Sequence, residues 1–120
     1  MSINFDDLDE DIKKKAINLQ NLYTTRDFLN QQKVQIETSL RETELAVEEL
    51  EKINPDEVVF KSIGGIMVKS EKNKLLDEKK SLKVTLEMRQ KTVDQKLERT
   101  KNQITTLESS IRTTLQNKSA

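Results

Sequence analysis

The sequence predicts a mainly α-helical protein, in which a long antiparallel two-helix coiled coil carries a central β-hairpin. Three observations support this fold class. Pro55, Gly64 and Gly65, the only proline and glycines, all lie near the middle of the chain. The long stretches on either side repeat apolar residues every three or four positions, as coiled coils do. Charged residues make up 35% of the chain and hydrophobic ones only 33%, which suits a narrow apolar seam better than a compact core.

The composition also makes several classes of function improbable. The chain has no cysteine and no histidine, so it lacks thiolate and imidazole metal ligands and the commonest general base. Its formal net charge is zero, which argues against a general nucleic-acid binder. No apolar run approaches the roughly 18 residues of a membrane span, and the acidic N-terminus is unlike a signal peptide. We therefore expect no enzyme, no cofactor, no nucleic acid and no membrane.

The first helix is predicted over residues 5–53 from an unbroken heptad pattern. Ten of its fourteen a and d positions are apolar, which is a strong coiled-coil signal. Asn54-Pro55 ends the helix, because a residue before proline avoids the α-helical region. The a positions are Phe5, Ile12, Leu19, Arg26, Lys33, Leu40 and Val47, and the d positions are Leu8, Lys15, Leu22, Leu29, Ile36, Thr43 and Leu50.

A β-hairpin is predicted over residues 57–69. Two β-favouring runs flank the Gly64-Gly65 pair, and such an arrangement is a strong short-range hairpin signal. An isolated hairpin is marginally stable in water, and its open edges can pair with other strands. We therefore predict that this hairpin joins an intersubunit β-barrel. The oligomerisation residues would be Val58, Val59, Phe60, Ile63, Gly64, Gly65, Ile66, Met67 and Val68.

The second helix is predicted over residues 71–116, with Ser70 as its N-cap. Its seam begins with Leu75, Lys79, Leu82, Leu86, Arg89 and Val93 and continues through Leu97, Thr100, Ile104, Leu107 and Ile111. The steps from Arg89 to Val93 and from Val93 to Leu97 both span four residues. Two four-residue steps in succession are a stutter in the heptad pattern.

The distribution of charge indicates that the two helices pair with each other. Residues 1–56 carry 13 acidic and 7 basic side chains, whereas residues 57–120 carry 8 acidic and 14 basic ones. Opposite charges beside the seam favour pairing within the chain over pairing of like helices. At 1.5 Å per residue, each helix would be about 70 Å long. The hairpin would then lie at one end of the coiled coil and both termini at the other.

The end that holds the termini is a candidate binding site. Helix ends fray, so apolar residues there can be exposed part of the time and adapt to varied partners. The candidate residues are Ile3, Phe5, Leu8, Ile12, Leu107, Ile111 and Leu115. An alternative remains open for Leu8, Ile12, Leu107 and Ile111, namely that these residues only close the coiled coil.

The hairpin resembles that of a beta-class prefoldin subunit. In that family an apolar strand with an aromatic-basic pair leads to a glycine turn and an apolar strand that ends in Val-Lys. Phe60-Lys61, Gly64 and Val68-Lys69 match this arrangement. The residue match covers about residues 54–76, and the architecture matches over nearly the whole chain. The chain would then be a single prefoldin-like domain, residues 1–120.

The resemblance implies a chaperone subunit. Prefoldin is a cytoplasmic hexamer of two alpha-class and four beta-class subunits, whose hairpins form a barrel platform. Its coiled-coil tips hold unfolded client proteins without ATP and deliver them to a group II chaperonin. The residues leave an alternative from another class of function, a structural coiled-coil adaptor that joins native protein partners. An assay of client binding separates these two functions.

Overall fold

The computed structural model describes the backbone of residues 9–119 and the side chains of residues 9–117. Helix α1 spans Glu10–Lys52, strands β1 and β2 span Val59–Ile63 and Ile66–Ser70, and helix α2 spans Lys72–Ser119. The predicted fold class, two long helices around a central hairpin, is confirmed. The part of the first predicted helix before residue 9 lies outside the described residues.

The chain divides into two compact units. The terminal unit combines residues up to 32 with residues from 93 onward. Within it α1 and α2 run antiparallel, since Lys15 Nζ donates to Ser110 Oγ at 3.0 Å and Tyr23 Oη donates to Glu108 Oε2 at 2.7 Å. Its buried side chains are Ile12, Leu29, Val93, Leu97, Thr100 and Ile104.

The hairpin unit comprises residues 33–92 and holds both strands. Lys72 Nζ donates to the carbonyl oxygen of Ile53 at 2.5 Å, just beyond the last turn of α1. Lys80 lies 3.7 Å from the carboxylate of Glu51, so the helices are antiparallel here as well. The buried side chains of this unit are Thr43, Leu50, Leu75 and Leu86.

The heptad pattern of α1 is confirmed by burial. Every a and d position from Ile12 to Leu50 is buried or half-buried. Thr43 is a polar residue in this seam, and its hydroxyl donates to the carbonyl oxygen of Ser39 at 2.7 Å. That bond satisfies the buried hydroxyl, which would otherwise destabilise the seam.

The seam of α2 differs from the predicted one in its first half. Lys83 and Gln90 are half-buried, whereas Arg89 is exposed and Leu82 is 40% exposed. The buried side of α2 therefore advances by four residues from Leu75 to Lys79 and by four again from Lys79 to Lys83. The stutter lies at Lys79, and its predicted position at Val93 is wrong. The sequence analysis placed Leu82 in the seam instead of Lys83 because leucine is apolar. A lysine occupies the seam because its methylene groups can be buried while its ammonium group stays in water.

The start of α2 also differs from the prediction. Ser70 is the last residue of β2 and pairs with Val59, so it is not the N-cap. Glu71 directly precedes the helix, and its carbonyl oxygen accepts the first helical bond from the Leu75 N–H at 3.0 Å. The strand pairing extends one residue further than the sequence indicated, which shifts the beginning of the helix by the same step.

The predicted turn of the hairpin is confirmed. Gly64 and Gly65 have φ angles of +55° and +81°, and they connect the paired residues Ile63 and Ile66. A two-residue turn with both φ angles positive is the type I′ turn, whose twist matches that of the flanking strands. Glycine adopts these angles without the steric cost that other residues incur.

Neither described helix is long and apolar enough to cross a membrane. Within the described residues, no group of three or more acidic side chains is arranged to hold a metal ion.

Candidate functional site

The first candidate site is the hairpin surface, defined by the nine predicted oligomerisation residues from Val58 to Val68. The strand register places Lys61 opposite Val68 and Ile63 opposite Ile66 on one face. Phe60 lies on the other face. Apolar side chains therefore project from both faces of the sheet.

Most of the hairpin surface is uncovered in the single chain. Val59 is half-buried and Val68 is 43% exposed. More than half of the surface of each remaining apolar side chain is exposed, namely Val58, Phe60, Ile63, Ile66 and Met67. So many exposed apolar side chains in one short hairpin mark an interaction surface.

The backbone of the hairpin is also incomplete in the single chain. Its sheet has two strands, so β1 and β2 each present one unpaired edge. An open edge of exposed N–H and C=O groups pairs readily with a strand from another chain. Because one hairpin supplies only two strands, the barrel of the predicted fold class is an intersubunit structure.

A salt bridge attaches the hairpin to α2. Lys61 Nζ on β1 lies 2.8 Å from Glu78 Oε2 on α2. The hydrogen bond from Lys61 lowers the pKa of the Glu78 carboxyl below its ordinary value. Lys61 is half-buried, so its face of the hairpin turns toward the first turns of α2. The face with Phe60 turns away from them.

The second candidate site is the predicted client-binding end. Ile12 is buried, with 1% of its surface exposed. Leu107, Ile111 and Leu115 are half-buried in the terminal unit. The other three predicted residues, Ile3, Phe5 and Leu8, lie outside the described residues. In this arrangement Ile12 closes the coiled coil, and the three α2 residues are the ones with accessible surface.

The terminal unit also contains a groove that the sequence did not predict. It has a volume of about 930 Å³ and lies between α1 and α2, beside the seam residues Leu22 and Leu107. Asn18, Asn102 and Gln103 are among the amide side chains that line it. Most of the polar residues that line it are uncharged amides and hydroxyls, although Glu98 and Arg99 also contribute. Uncharged residues beside the heptad seam, where coiled coils usually carry charged ones, are the sequence signal that could have revealed it.

A cluster around Tyr23 connects the two helices of the terminal unit. The Tyr23 hydroxyl donates to Glu108, and the guanidinium group of Arg26 lies 4.9 Å from the centre of the tyrosine ring. The hydrogen bond to Glu108 raises the pKa of Tyr23, and burial adds to the effect. This contact was not predicted, because a heptad pattern describes the apolar seam and not the polar groups beside it.

Comparisons with known proteins agree with the hairpin and the helices. A family model described as prefoldin subunit matches residues 13–118. The chain is 34% identical to the prefoldin subunit beta of Methanothrix thermoacetophila over 91% of each protein. It is 33% identical to that of Archaeoglobus fulgidus over 78% of this chain and 80% of the relative. The crystal structure of the prefoldin beta subunit from Thermococcus strain KS-1 superposes with a TM-score of 0.81 at 25% identity, over 91% of this chain and 96% of that one.

Proposed function

Since this chain belongs to the prefoldin family, as a beta-class subunit, we propose that it is part of an ATP-independent holdase chaperone. Its complex would bind non-native proteins at the ends of the coiled coils and transfer them to a group II chaperonin. The observation that carries this proposal is the hairpin surface, which is apolar on both faces and has two open edges. A hairpin of this kind indicates that the chain functions within an assembly.

The proposed assembly is a cytoplasmic hetero-hexamer of two alpha-class and four beta-class subunits. The uncovered face with Phe60 and Met67 supports it, because burying a large apolar side chain contributes about 1.5–3 kcal/mol. Pairing of the open edges would add backbone hydrogen bonds and prevent nonspecific association of strands. The alpha-class subunit is the partner that the family resemblance implies.

The proposed client site is the end of the terminal unit. Leu107, Ile111 and Leu115 offer partly accessible apolar surface at helical spacing, and Ile3, Phe5 and Leu8 would add to it. Ile12 would contribute only when the helix ends open, because it is buried in the closed pair. Apolar surface that can rearrange suits unfolded clients, since they share exposed hydrophobic segments and no common sequence.

The test is an aggregation assay with the complex of this chain and a candidate alpha-class subunit. The full-length complex should suppress aggregation of a chemically unfolded client without ATP. A complex whose beta chains lack residues 1–8 and 112–120 should suppress it much less, because the client site has then lost four of its seven apolar residues, namely Ile3, Phe5, Leu8 and Leu115. Native mass spectrometry should give the same subunit composition for both complexes.

Two outcomes would contradict the proposal. Equal suppression by the trimmed and full-length complexes would show that these ends do not bind clients. A full-length complex that assembles but never suppresses aggregation would instead favour the structural adaptor. A matched control complex carries Leu82→Ser, which changes an exposed leucine of the hairpin unit, and should suppress aggregation as well as the unchanged complex.

A further inference from the structure

Two hydrogen bonds connect α1 and α2 close to the proposed client site. Lys15 Nζ donates to Ser110 Oγ at 3.0 Å, and Tyr23 Oη donates to Glu108 Oε2 at 2.7 Å. All four residues are half-buried in the terminal unit. We call Lys15, Ser110, Tyr23 and Glu108 the clasp.

The clasp divides the apolar residues of the terminal unit into two groups. On α1, Ile12 lies on the terminal side of the Lys15–Ser110 bond. Since the helices are antiparallel, Ile111 and Leu115 lie on the same side on α2. We call these three the outer residues. The inner residues, on the other side of this bond, are Leu19, Leu22, Ile104 and Leu107.

Each bond of the clasp has one charged partner. The ammonium group of Lys15 and the carboxylate of Glu108 are charged, and such bonds are stronger than bonds between neutral groups. Further contacts hold both donors in place. Asp11 lies 3.3 Å from Lys15 Nζ, and the guanidinium group of Arg26 lies 4.9 Å from the centre of the Tyr23 ring. The clasp is therefore a stronger connection than two isolated hydroxyl contacts would be.

Separation of the helix ends meets the clasp after it has passed the outer residues. Helices fray from their ends inward, and a helix that has lost its partner is marginally stable in water. Fraying reaches Ile12 before it reaches Lys15, so Ile12 can be uncovered while both bonds of the clasp stay intact. Separation beyond that point breaks two charge-assisted bonds and uncovers the inner residues, which makes it less favourable.

We propose that the clasp determines how far the client end opens, and thereby how much apolar surface the chain offers to a client. With the clasp closed, a client would meet the outer residues and the accessible part of Leu107. With the clasp broken, Leu22 and the buried Ile104 would be uncovered as well. The proposal rests on the proposed client site. The clasp residues are positioning residues, because they act through the apolar residues and not through contact with the client.

Hydrogen exchange in the complex of this chain with an alpha-class subunit measures the opening. The clasp variant carries Tyr23→Phe and Ser110→Ala, which remove one hydroxyl from each bond and keep the aromatic ring beside Arg26. The amides of residues 19–22 and 104–107 should exchange about tenfold faster than in the unchanged complex, equivalent to about 1.4 kcal/mol. The amides of residues 75–86, in the hairpin unit, should exchange as before.

Thr24→Ala with Thr105→Ala is the matched control. Each of these threonine hydroxyls donates to a carbonyl oxygen four residues earlier in its own helix, at 3.1 and 3.0 Å. The control therefore removes two hydroxyl hydrogen bonds from the terminal unit, one on each helix, without changing a bond between the helices. Exchange at residues 19–22 and 104–107 should match that of the unchanged complex.

Each exchange result decides one point. Equal exchange in the clasp variant, the control and the unchanged complex would overturn the proposal. Acceleration in the hairpin unit as well would show that the two bonds support the stability of the whole chain, and would overturn a local role. If circular dichroism shows that the clasp variant has lost helix, Tyr23→Phe alone replaces it and should give the same pattern with a smaller acceleration.

An aggregation assay measures the consequence for clients. Because the clasp variant offers more apolar surface, less of its complex than of the unchanged or control complex should be needed to halve aggregation of a chemically unfolded client. Faster exchange with an unchanged requirement would overturn the connection between opening and client binding. If the unchanged complex suppresses no aggregation, the proposed function fails and the client role of the clasp with it, while hydrogen exchange still measures the opening by itself.

Discussion

Single polar side chains link the two helices through hydrogen bonds that the apolar pattern does not predict. In the terminal unit Lys15 donates to Ser110, and Tyr23 donates to Glu108. In the hairpin unit Lys72 donates to the Ile53 carbonyl oxygen beyond the end of α1. These bonds link residues that are distant in the sequence, so they favour one register of a repetitive seam over registers that differ by whole heptads.

Tyr23 is the only tyrosine and the chain has no tryptophan, so ultraviolet absorbance reports the ionisation of this one residue. Its pKa is raised mainly by the hydrogen bond to Glu108. Glu108→Ala should therefore lower the pKa of Tyr23 toward the ordinary value of 10.0. A spectrophotometric pH titration of both proteins in the folded state measures the difference.

The raised pKa also has a consequence for stability. A hydroxyl whose folded pKa lies above its unfolded value stabilises the fold fully below the unfolded pKa, and that stabilisation is lost as pH rises through the folded pKa. The unchanged protein should therefore lose stability at alkaline pH more steeply than Glu108→Ala. Glu98→Ala, on the same helix, serves as the control and should leave the titration of Tyr23 unchanged. Identical curves for all three proteins would contradict the assignment.

The hairpin is the element whose shape depends most on particular residues. Its turn needs two positive φ angles, which Gly64 and Gly65 supply. No heavy atom lies within 4 Å of a Cβ atom built at either glycine, so space is not the reason for glycine here. The backbone angle is the constraint, and a larger residue would strain the turn without any collision.

Gly64→Ala should destabilise the hairpin by roughly 1–2 kcal/mol, because an L-residue at φ +55° carries that steric cost. Gly64→Asn is the matched control, since asparagine adopts the left-handed region more readily. Hydrogen exchange of the β1 and β2 amides should accelerate in Gly64→Ala and much less in Gly64→Asn. Equal acceleration in both variants would mean that side-chain bulk, and not backbone angle, is decisive.

The whole molecule divides its apolar residues between a seam that pairs the helices and a surface that stays uncovered. The seam buries leucine, isoleucine and valine side chains along both helices, whereas the hairpin surface leaves Phe60, Ile63, Ile66 and Met67 more than half exposed. The seam residues are buried within one chain. The hairpin residues can be buried only by other chains, so the stability of the helices and the formation of the complex should respond to different substitutions.

The double variant Phe60→Ser and Met67→Ser should weaken assembly by about 100-fold or more, because each lost apolar contact is worth about 1.5 kcal/mol or more and 1.4 kcal/mol is tenfold. Far-ultraviolet circular dichroism should show unchanged helix content. Ile17→Ser with Phe28→Ser is the control, since these residues are similarly exposed but lie in the terminal unit. Analytical ultracentrifugation measures the mass of each complex. Comparable assembly of both double variants would refute the role of the hairpin surface.

The parts of the fold that were predicted correctly depend on neighbours in the sequence. The repeat from Ile12 to Leu50 marks the buried side of α1, and Gly64-Gly65 marks the turn. The two wrong predictions, the N-cap of α2 and the first half of its seam, concern residues whose positions depend on another segment of the chain. Ser70 belongs to β2 because it pairs with Val59, and the interchange of Leu82 and Lys83 in the seam depends on how α1 packs against α2.

The candidate sites also differ in whether the sequence alone could predict them. The exposed hairpin surface was predictable, because two short strands cannot bury the apolar side chains that they carry. The groove beside Leu22 and Leu107 was not predicted, since its walls come from two helices whose contributing residues are about 80 positions apart in the chain. The burial of Ile12 likewise depends on packing in the terminal unit, which the heptad pattern alone does not describe.

The amino-acid sequence alone determined the two helices, the turn between the strands and the family of the protein, because heptad spacing, glycine dihedral freedom and the hairpin motif act over short distances along the chain. Only the tertiary structure decided which α2 residues face the seam, where β2 gives way to α2, and that Tyr23 meets Glu108. Those features depend on the side chain that arrives from the other helix or strand, and that side chain's position is set by packing of the whole unit.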